Sequence, residues 1–143
     1  MRPSAPREGS WRRCVHTRED RLLTSKFTEL IIDCANPAAL AAFWADVLGY
    51  AITDDSDPDT VEIYGGPGVL PTLLFAKVPE GKIVKNRLHI DVNATGGADQ
   101  ETELARLLAL GARHVDIGQG EQTWYVLADP EGNEFCLLRR TVE

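Results

Sequence analysis

The chain has 143 residues, 43% of them hydrophobic, which bounds it to one domain with room for a substantial core. Its net charge is −7 and unevenly spread: residues 1–26 hold seven basic and three acidic groups, a surplus of +4, so the remainder carries −11. An acidic body of that kind argues against nucleic acid as a partner, and no apolar stretch approaches the roughly 18–20 residues of a membrane span.

Residues 1–26 read as a disordered or loosely attached basic extension, because Pro, Arg, Ser and Gly dominate and no period is visible. It lacks the apolar segment of a secretory signal. Cys14, Cys34 and Cys136 are odd in number, widely spaced and free of any C-x-x-C. They form neither a disulfide framework nor a zinc-finger pattern, so the expected compartment is the reducing cytoplasm.

Phe27 to Cys34 is the first predicted strand, with Leu30, Ile32 and Cys34 on one face and Glu29, Ile31 and Asp33 on the other. Asn36-Pro37 opens a helix as N-cap and first helical residue. Leu40, Phe43, Trp44, Val47 and Leu48 form one apolar stripe, and Gly49 ends the helix. Strands follow near Tyr50–Thr53, Val61–Tyr64 and Thr72–Val78. The acidic loop between the first two lacks the glycine and terminal glutamate of a calcium loop and reads as a solvated turn. The glycines at 65–68 open no helix, so they are not expected to cradle phosphate.

The plan then repeats. Arg87–Val92 is a predicted strand with Leu88, Ile90 and Val92 on one face and His89 and Asp91 on the other. A helix over Ala98–Leu110 carries Leu104, Leu107 and Leu108, and Gly111 ends it as Gly49 ended the first. Strands at Ala112–Ile117 and Thr123–Ala128 lead to a turn, Asp129-Pro130-Glu131-Gly132, and a last strand. In that strand Phe135 and Leu137 share one face, while Glu134, Cys136 and Leu138 share the other. Two β-α-β-β-β units, about 27–80 and 85–140, thus account for residues 27–143, and the repeat implies a pseudo-twofold arrangement. Each sheet is expected to set one face on its own helix. The other faces, carrying Glu29, Asp33, His89, Asp91 and Cys136, are expected to enclose a common space.

Three stretches, "DCANPAALAAFWADVLGY" (33–50), "LLFAKVPEGKIVKNRLHIDV" (73–92) and "LADPEGNEFCLL" (127–138), resemble the vicinal oxygen chelate superfamily and its glyoxalase-like domain group. The resemblance implies an α+β fold in which two βαβββ modules form a paired, partly open, barrel-like cavity. Relatives isomerise, cleave rings with dioxygen, open epoxides or sequester drugs, so the likeness specifies the fold more narrowly than the activity. Metal-using relatives take one ligand from the first and fourth strand of each module. Those positions correspond to Glu29, Ala76, His89 and Cys136; matching Asp33 with Asp91 places Ile31 opposite His89 instead. Ala76 has no donor atom, and Cys136 stands where a carboxylate is usual. The implied metal set is therefore incomplete and no cofactor is expected, although Glu29, His89 and Cys136 could make a three-ligand zinc site.

The residue readings remain two-sided. His89 is either a hydrogen-bonded structural residue or a cavity group; imidazole suits proton transfer near neutral pH, and a neighbouring carboxylate would hold one tautomer. Asp91 either anchors backbone or binds ligand. Cys136 is either an inert small hydrophobe or a nucleophile beside His89. Trp124 and Tyr64 could wall an organic ligand, whereas Trp44 belongs to the helix stripe and the core. The expected function is binding of a small organic molecule by Glu29, Asp33, Asp91, Trp124 and Cys136, in the manner of bleomycin-resistance-like relatives. The alternative is a lyase, isomerase or dioxygenase with His89 as catalytic base. A homodimer is the expected protein partner, because relatives often pair.

Overall fold

The computed structural model describes residues 24–54 and 57–143. Cys14 and nearly all of the basic extension lie outside them. The elements run β1 (Glu29–Cys34), α1 (Pro37–Leu48), β2 (Ala51–Ile52), β3 (Thr60–Tyr64), β4 (Thr72–Lys77), β5 (Asp91–Val92), α2 (Gln100–Leu110), β6 (Arg113–His114), β7 (Tyr125–Ala128) and β8 (Glu134–Leu137). They build two mixed four-stranded sheets, ordered β1-β4-β3-β2 and β5-β8-β7-β6. In each, the module's first strand lies parallel to its last, and the other neighbours are antiparallel. The repeat read from the sequence is thus a repeat of topology. Among the described residues, no helix is long and apolar enough to cross a membrane.

Local chemistry sets the helix ends. The Asn36 side chain accepts from Ala39 N–H, 3.2 Å, ahead of Pro37, and Gly49 closes α1 with φ +67°. In the second module the boundary falls at Asp99 instead of Ala98. The Asp99 carboxylate accepts from Thr102 N–H at 2.8 Å, so α2 starts at Gln100.

The modules share one core. Phe43 and Trp44 of α1 pack edge-on against Phe135 of β8, with ring centroids 6.2 and 5.1 Å away. Leu104 and Leu107 of α2 join the same cluster as Ile63, Phe75, Leu127 and Leu137. Both helices and residues of both sheets thus belong to a single cluster. Leu108 falls off the predicted stripe and is 36% exposed. Burying a large apolar side chain contributes about 1.5–3 kcal/mol, so the Trp44–Phe135 contact is a main tie between the halves.

Polar contacts reinforce it. Asp129 is fully buried and accepts from Trp44 Nε1 at 3.0 Å and from the backbone N–H groups of Glu131 and Asn133, both at 2.9 Å. Glu131 reaches the β1–α1 junction, accepting from Ala35 N–H at 2.6 Å and Asn36 N–H at 3.0 Å. The Arg106 guanidinium of α2 donates to the Asp46 and Val47 carbonyls at 2.9 and 3.0 Å. Those carbonyls lie in the last turn of α1, the negative end of its dipole.

The predicted strand at Arg87–Val92 is the largest departure. Only Asp91 and Val92 belong to β5, although Cys136 N–H still donates to the Ile90 carbonyl at 2.9 Å. Leu88 is 84% exposed instead of facing the core. The segment before β5 is held from the side: Glu134 binds Lys82 Nζ at 2.9 Å and Asn86 N–H at 3.0 Å. The strand at Ala112–Ile117 likewise shrinks to Arg113–His114, and Trp124 lies just ahead of β7.

Candidate functional site

Alternation along β8 builds the site. Phe135 and Leu137 face the core with no exposure, which turns Cys136 to the opposite face of the sheet. The parallel register places Asp91 directly beside Cys136. His89, two residues earlier, stands on the same side although it lies outside β5. Its Nδ1 is 3.1 Å from Asp91 Oδ1 and 3.8 Å from Cys136 Sγ. The three ligating atoms all lie within 4.8 Å of one another. Hydrogen-bond logic assigns the Nδ1 proton to the Asp91 bond, which leaves Nε2 as an acceptor with no hydrogen-bond partner among the described residues.

A cavity of about 350 Å³ opens over this trio. Ile117, Trp124, Val126 and Leu138 form its apolar wall, and Gln119 adds an amide. Among the described residues, no lysine or arginine lines it. Gln119 also shapes the loop that carries it, accepting from Ile117 N–H at 2.7 Å and donating to the Val115 carbonyl at 3.2 Å. A larger hollow of about 700 Å³ lies against the same loop, sharing Gln119, Trp124 and Val126, but among the described residues no comparable set of ligating side chains meets in it.

The two described cysteines differ in surroundings. Burial pushes the Cys34 thiol up to about 11, and Glu131, Asp33 and Asp129 act in the same direction. Cys34 faces the core and its thiol donates to the Ala76 carbonyl at 3.6 Å. Burial also raises Cys136, and the Asp91 carboxylate adds to the rise through its charge and a hydrogen bond, opposed by Lys85. Both shifts favour the neutral thiol, so the surroundings of neither cysteine activate it.

The expected site residues divide. His89, Asp91, Cys136 and Trp124 line the same cavity. Asp33 does not: with Ile31, Leu88 and His89 it lines a neighbouring cleft of about 490 Å³ between β1 and the segment before β5. His89 is the residue common to both spaces. Glu29 lines neither. It sits at the start of β1 opposite Thr72, on the exposed face of the first sheet. Of the four positions that the resemblance implies, Ala76 presents a methyl group beside Asp33, Glu29 stands apart, and His89 and Cys136 meet. Tyr64 is also on the first sheet and 40% exposed. Ile117 and Gln119 were not predicted to line the site; Ile117 was read as the end of a strand and, like Gln119, belongs to a loop beyond β6. Leu138 was legible by alternation with Cys136, whereas Val126 joins them through the β7–β8 register, directly opposite Cys136.

The sequence profile of the family described as "Glyoxalase-like domain" matches residues 29–138. No curated protein matches the chain. Among solved structures, a glyoxalase/bleomycin resistance protein/dioxygenase family enzyme from Burkholderia phytofirmans PsJN is similar at TM-score 0.57 and 21% identity, covering 79% of this chain and 97% of that one. A fosfomycin resistance protein from Mesorhizobium loti reaches TM-score 0.62 at 13% identity, over 84% and 95% of the two chains. One from Listeria monocytogenes, in complex with Mn(II) and a dihydroxypropylphosphonic acid, gives 0.57 at 13%, over 82% and 90%.

Proposed function

The chain belongs to the glyoxalase-like domain family, and on that premise we propose that it binds a small, uncharged, largely apolar organic molecule in the cavity of the second module. The observation that carries this reading is the lining itself: Trp124, Ile117, Val126 and Leu138 face a His89–Asp91 pair across about 350 Å³. A pocket of that size with few convergent polar groups suits a small ligand. The free Nε2 of His89 accepts a hydroxyl or amide hydrogen from it. The Listeria relative was captured with a phosphonic acid; here, among the described residues, no lysine or arginine lines the pocket to pair with such an anion.

A fluorescence titration tests this. Of the three tryptophans, Trp44 is sealed in the core and Trp124 is 37% exposed at the cavity. A panel of neutral aromatic and aliphatic alcohols and amides is titrated alongside phosphonates, with calorimetry in parallel. Saturable binding of neutral compounds, with the fluorescence response lost in Trp124→Phe, is the expected outcome. Preference for phosphonates, or no binding across the panel, refutes it.

An enzymatic reading rests on one specific contact. The 3.1 Å Asp91–His89 bond holds the tautomer in which Nε2 is a general base. Turnover of a bound compound that His89→Gln abolishes while binding survives is the result that favours it over a binder.

A further inference from the structure

We infer that the outer edge of β1, where it borders the cleft of about 490 Å³, is a docking edge for an extended basic peptide of a partner protein. The inference concerns the cleft between the modules, goes beyond the organic-ligand reading and does not depend on it.

Backbone direction carries the argument. β1 and β5 are each the edge strand of their sheet. At the two ends of β1, the Thr28 and Cys34 carbonyls accept from Thr72 and Val78 N–H, at 3.0 and 2.9 Å. Successive backbone groups of a strand point to alternate sides, so those of Glu29, Ile31 and Asp33 point away from β4. The same count applies across the cleft. The Ile90 and Val92 carbonyls accept from Cys136 and Leu138 N–H, at 2.9 and 2.8 Å, which turns the backbone groups of His89 and Asp91 away from β8. Residues 30–33 and 88–90 line the cleft from its two sides. Among the described residues, no backbone hydrogen bond joins the two. Phe27, Ile31 and Leu88 are exposed beside them. An uncovered edge flanked by apolar surface is a template for an added strand.

Charge selects the occupant. The side chains of Glu29, Ile31 and Asp33 share one exposed face of β1. Among the described residues, no lysine or arginine lines the cleft. A strand added to this edge sets one residue directly opposite each of the three, where opposite charges attract and like charges repel. The matching segment is therefore basic–x–apolar–x–basic, a pattern that reads the same in either direction. Its two x residues project to the other face, beside the half-buried Leu30 and Ile32, and are apolar. A second copy of β1 is a poor occupant. Antiparallel pairing centred on Ile31 would set Glu29 against Asp33 twice.

Fluorescence anisotropy provides the test: a labelled heptapeptide with blocked ends, Thr-Lys-Val-Ile-Val-Lys-Thr, is titrated with the full chain. The expected result is saturable one-to-one binding that weakens with added salt. Exchanging both peptide lysines for glutamate turns two cross-strand pairs from attractive to repulsive and should weaken binding by roughly fivefold or more. Exchanging its central isoleucine for proline removes a bonding N–H and should abolish binding. The double variant Glu29→Lys/Asp33→Lys should reverse the preference, favouring the glutamate peptide. Both positions are exposed, so the core is undisturbed. Amide exchange locates the contact without any variant: the heptapeptide should slow exchange at Ile31 and Asp33, whose N–H groups it takes up. No saturable binding by the folded protein overturns the inference. So do equal affinities for the lysine and glutamate peptides, a preference unchanged in the double variant, or protection confined to other segments. Tighter binding of a peptide copying residues 8–22 assigns the edge to the chain's own basic extension. A dimer that the heptapeptide dissociates in sedimentation assigns it to a second copy. Either result overturns a partner in trans.

Discussion

Replacing Asp129 by asparagine should destabilise the protein far more than an isosteric change on a surface turn. Both carboxylate oxygens are used. Oδ2 accepts from Trp44 Nε1 at 3.0 Å and from Asn133 Nδ2 at 2.9 Å, while Oδ1 accepts from the backbone N–H groups of Glu131 and Asn133 at 2.9 Å. An asparagine amide has one acceptor oxygen. Either the Trp44 N–H or the turn's N–H groups must then face an NH₂ group. Trp44 is only 2% exposed and water does not replace the lost partner. A buried unsatisfied donor costs about 1–3 kcal/mol, so Asp129→Asn should cost about 2 kcal/mol and Asp129→Ala about 3–4 kcal/mol. For a chain of this size the latter is a fall of roughly 10 °C in Tm. Urea unfolding followed by fluorescence and circular dichroism measures both. The decisive version is a double-mutant cycle with Trp44→Phe, which removes the indole donor together with part of the ring's packing, a loss common to both arms of the cycle. Coupling of about 1 kcal/mol is expected between the two sites. Additive single effects, or an Asp129→Asn variant within about 0.5 kcal/mol of the parent, would refute the idea that this bond joins the modules.

Three further outcomes follow from named contacts. Arg106→Ala should lower stability by about 1 kcal/mol in thermal melts, because it removes two bonds to the last turn of α1, at 2.9 and 3.0 Å. Glu131→Ala should cost about 1 kcal/mol or more in the same melts by freeing the Ala35 and Asn36 N–H groups. Glu134 should make the protein acid-sensitive. Burial alone would raise its carboxyl, but the Asn86 N–H and the Lys82 ammonium together hold it below its ordinary value. A depressed carboxyl contributes stability that is present above its unfolded pKa and is lost as pH falls through the folded one. Urea midpoints measured across the acid range should therefore drop below the ordinary glutamate range, and Glu134→Gln should flatten that limb.

What the sequence disclosed follows from how far each determinant reaches along the chain. Asn36, Pro37, Gly49 and Gly111 act within a few residues, so the helix ends at both glycines were readable. Strand alternation is equally local, and it placed Cys136 away from Phe135 and set His89 and Asp91 on one side. The contacts that join the halves, Trp44 to Asp129 and Glu131 to Ala35, span 85 and 96 positions and leave no pattern in either segment. Leu88 shows the opposite failure. Its alternation with Ile90 and Val92 suggested a buried strand face, but β8 pairs with Ile90 onward and Glu134 pins Asn86, which leaves Leu88 in solvent. Glu29 misled for a related reason. Its face of β1 was assigned by alternation, yet which space that face meets depends on the packing of two separate sheets.

One strand therefore ties the site to the core. Phe135 of β8 meets Phe43 and Trp44 across the module boundary, and Leu137 pairs in register with Val92. Cys136, between them, has little freedom to move relative to either. Asp91 inherits that rigidity through the ladder, and His89 inherits less because it lies beyond β5. The trio thus has a graded stiffness, with a fixed sulfur, a laddered carboxylate-bearing residue and an imidazole on a looser segment. Lys82 and Glu134 restrain that segment from its far end, 2.9 Å apart. Loosening this pair should therefore disturb the position of His89 before it disturbs Cys136. Local hydrogen exchange in a Lys82→Met variant reads this directly: faster exchange is expected at Asn86–Ile90, with Cys136 N–H, bonded to the Ile90 carbonyl at 2.9 Å, responding last.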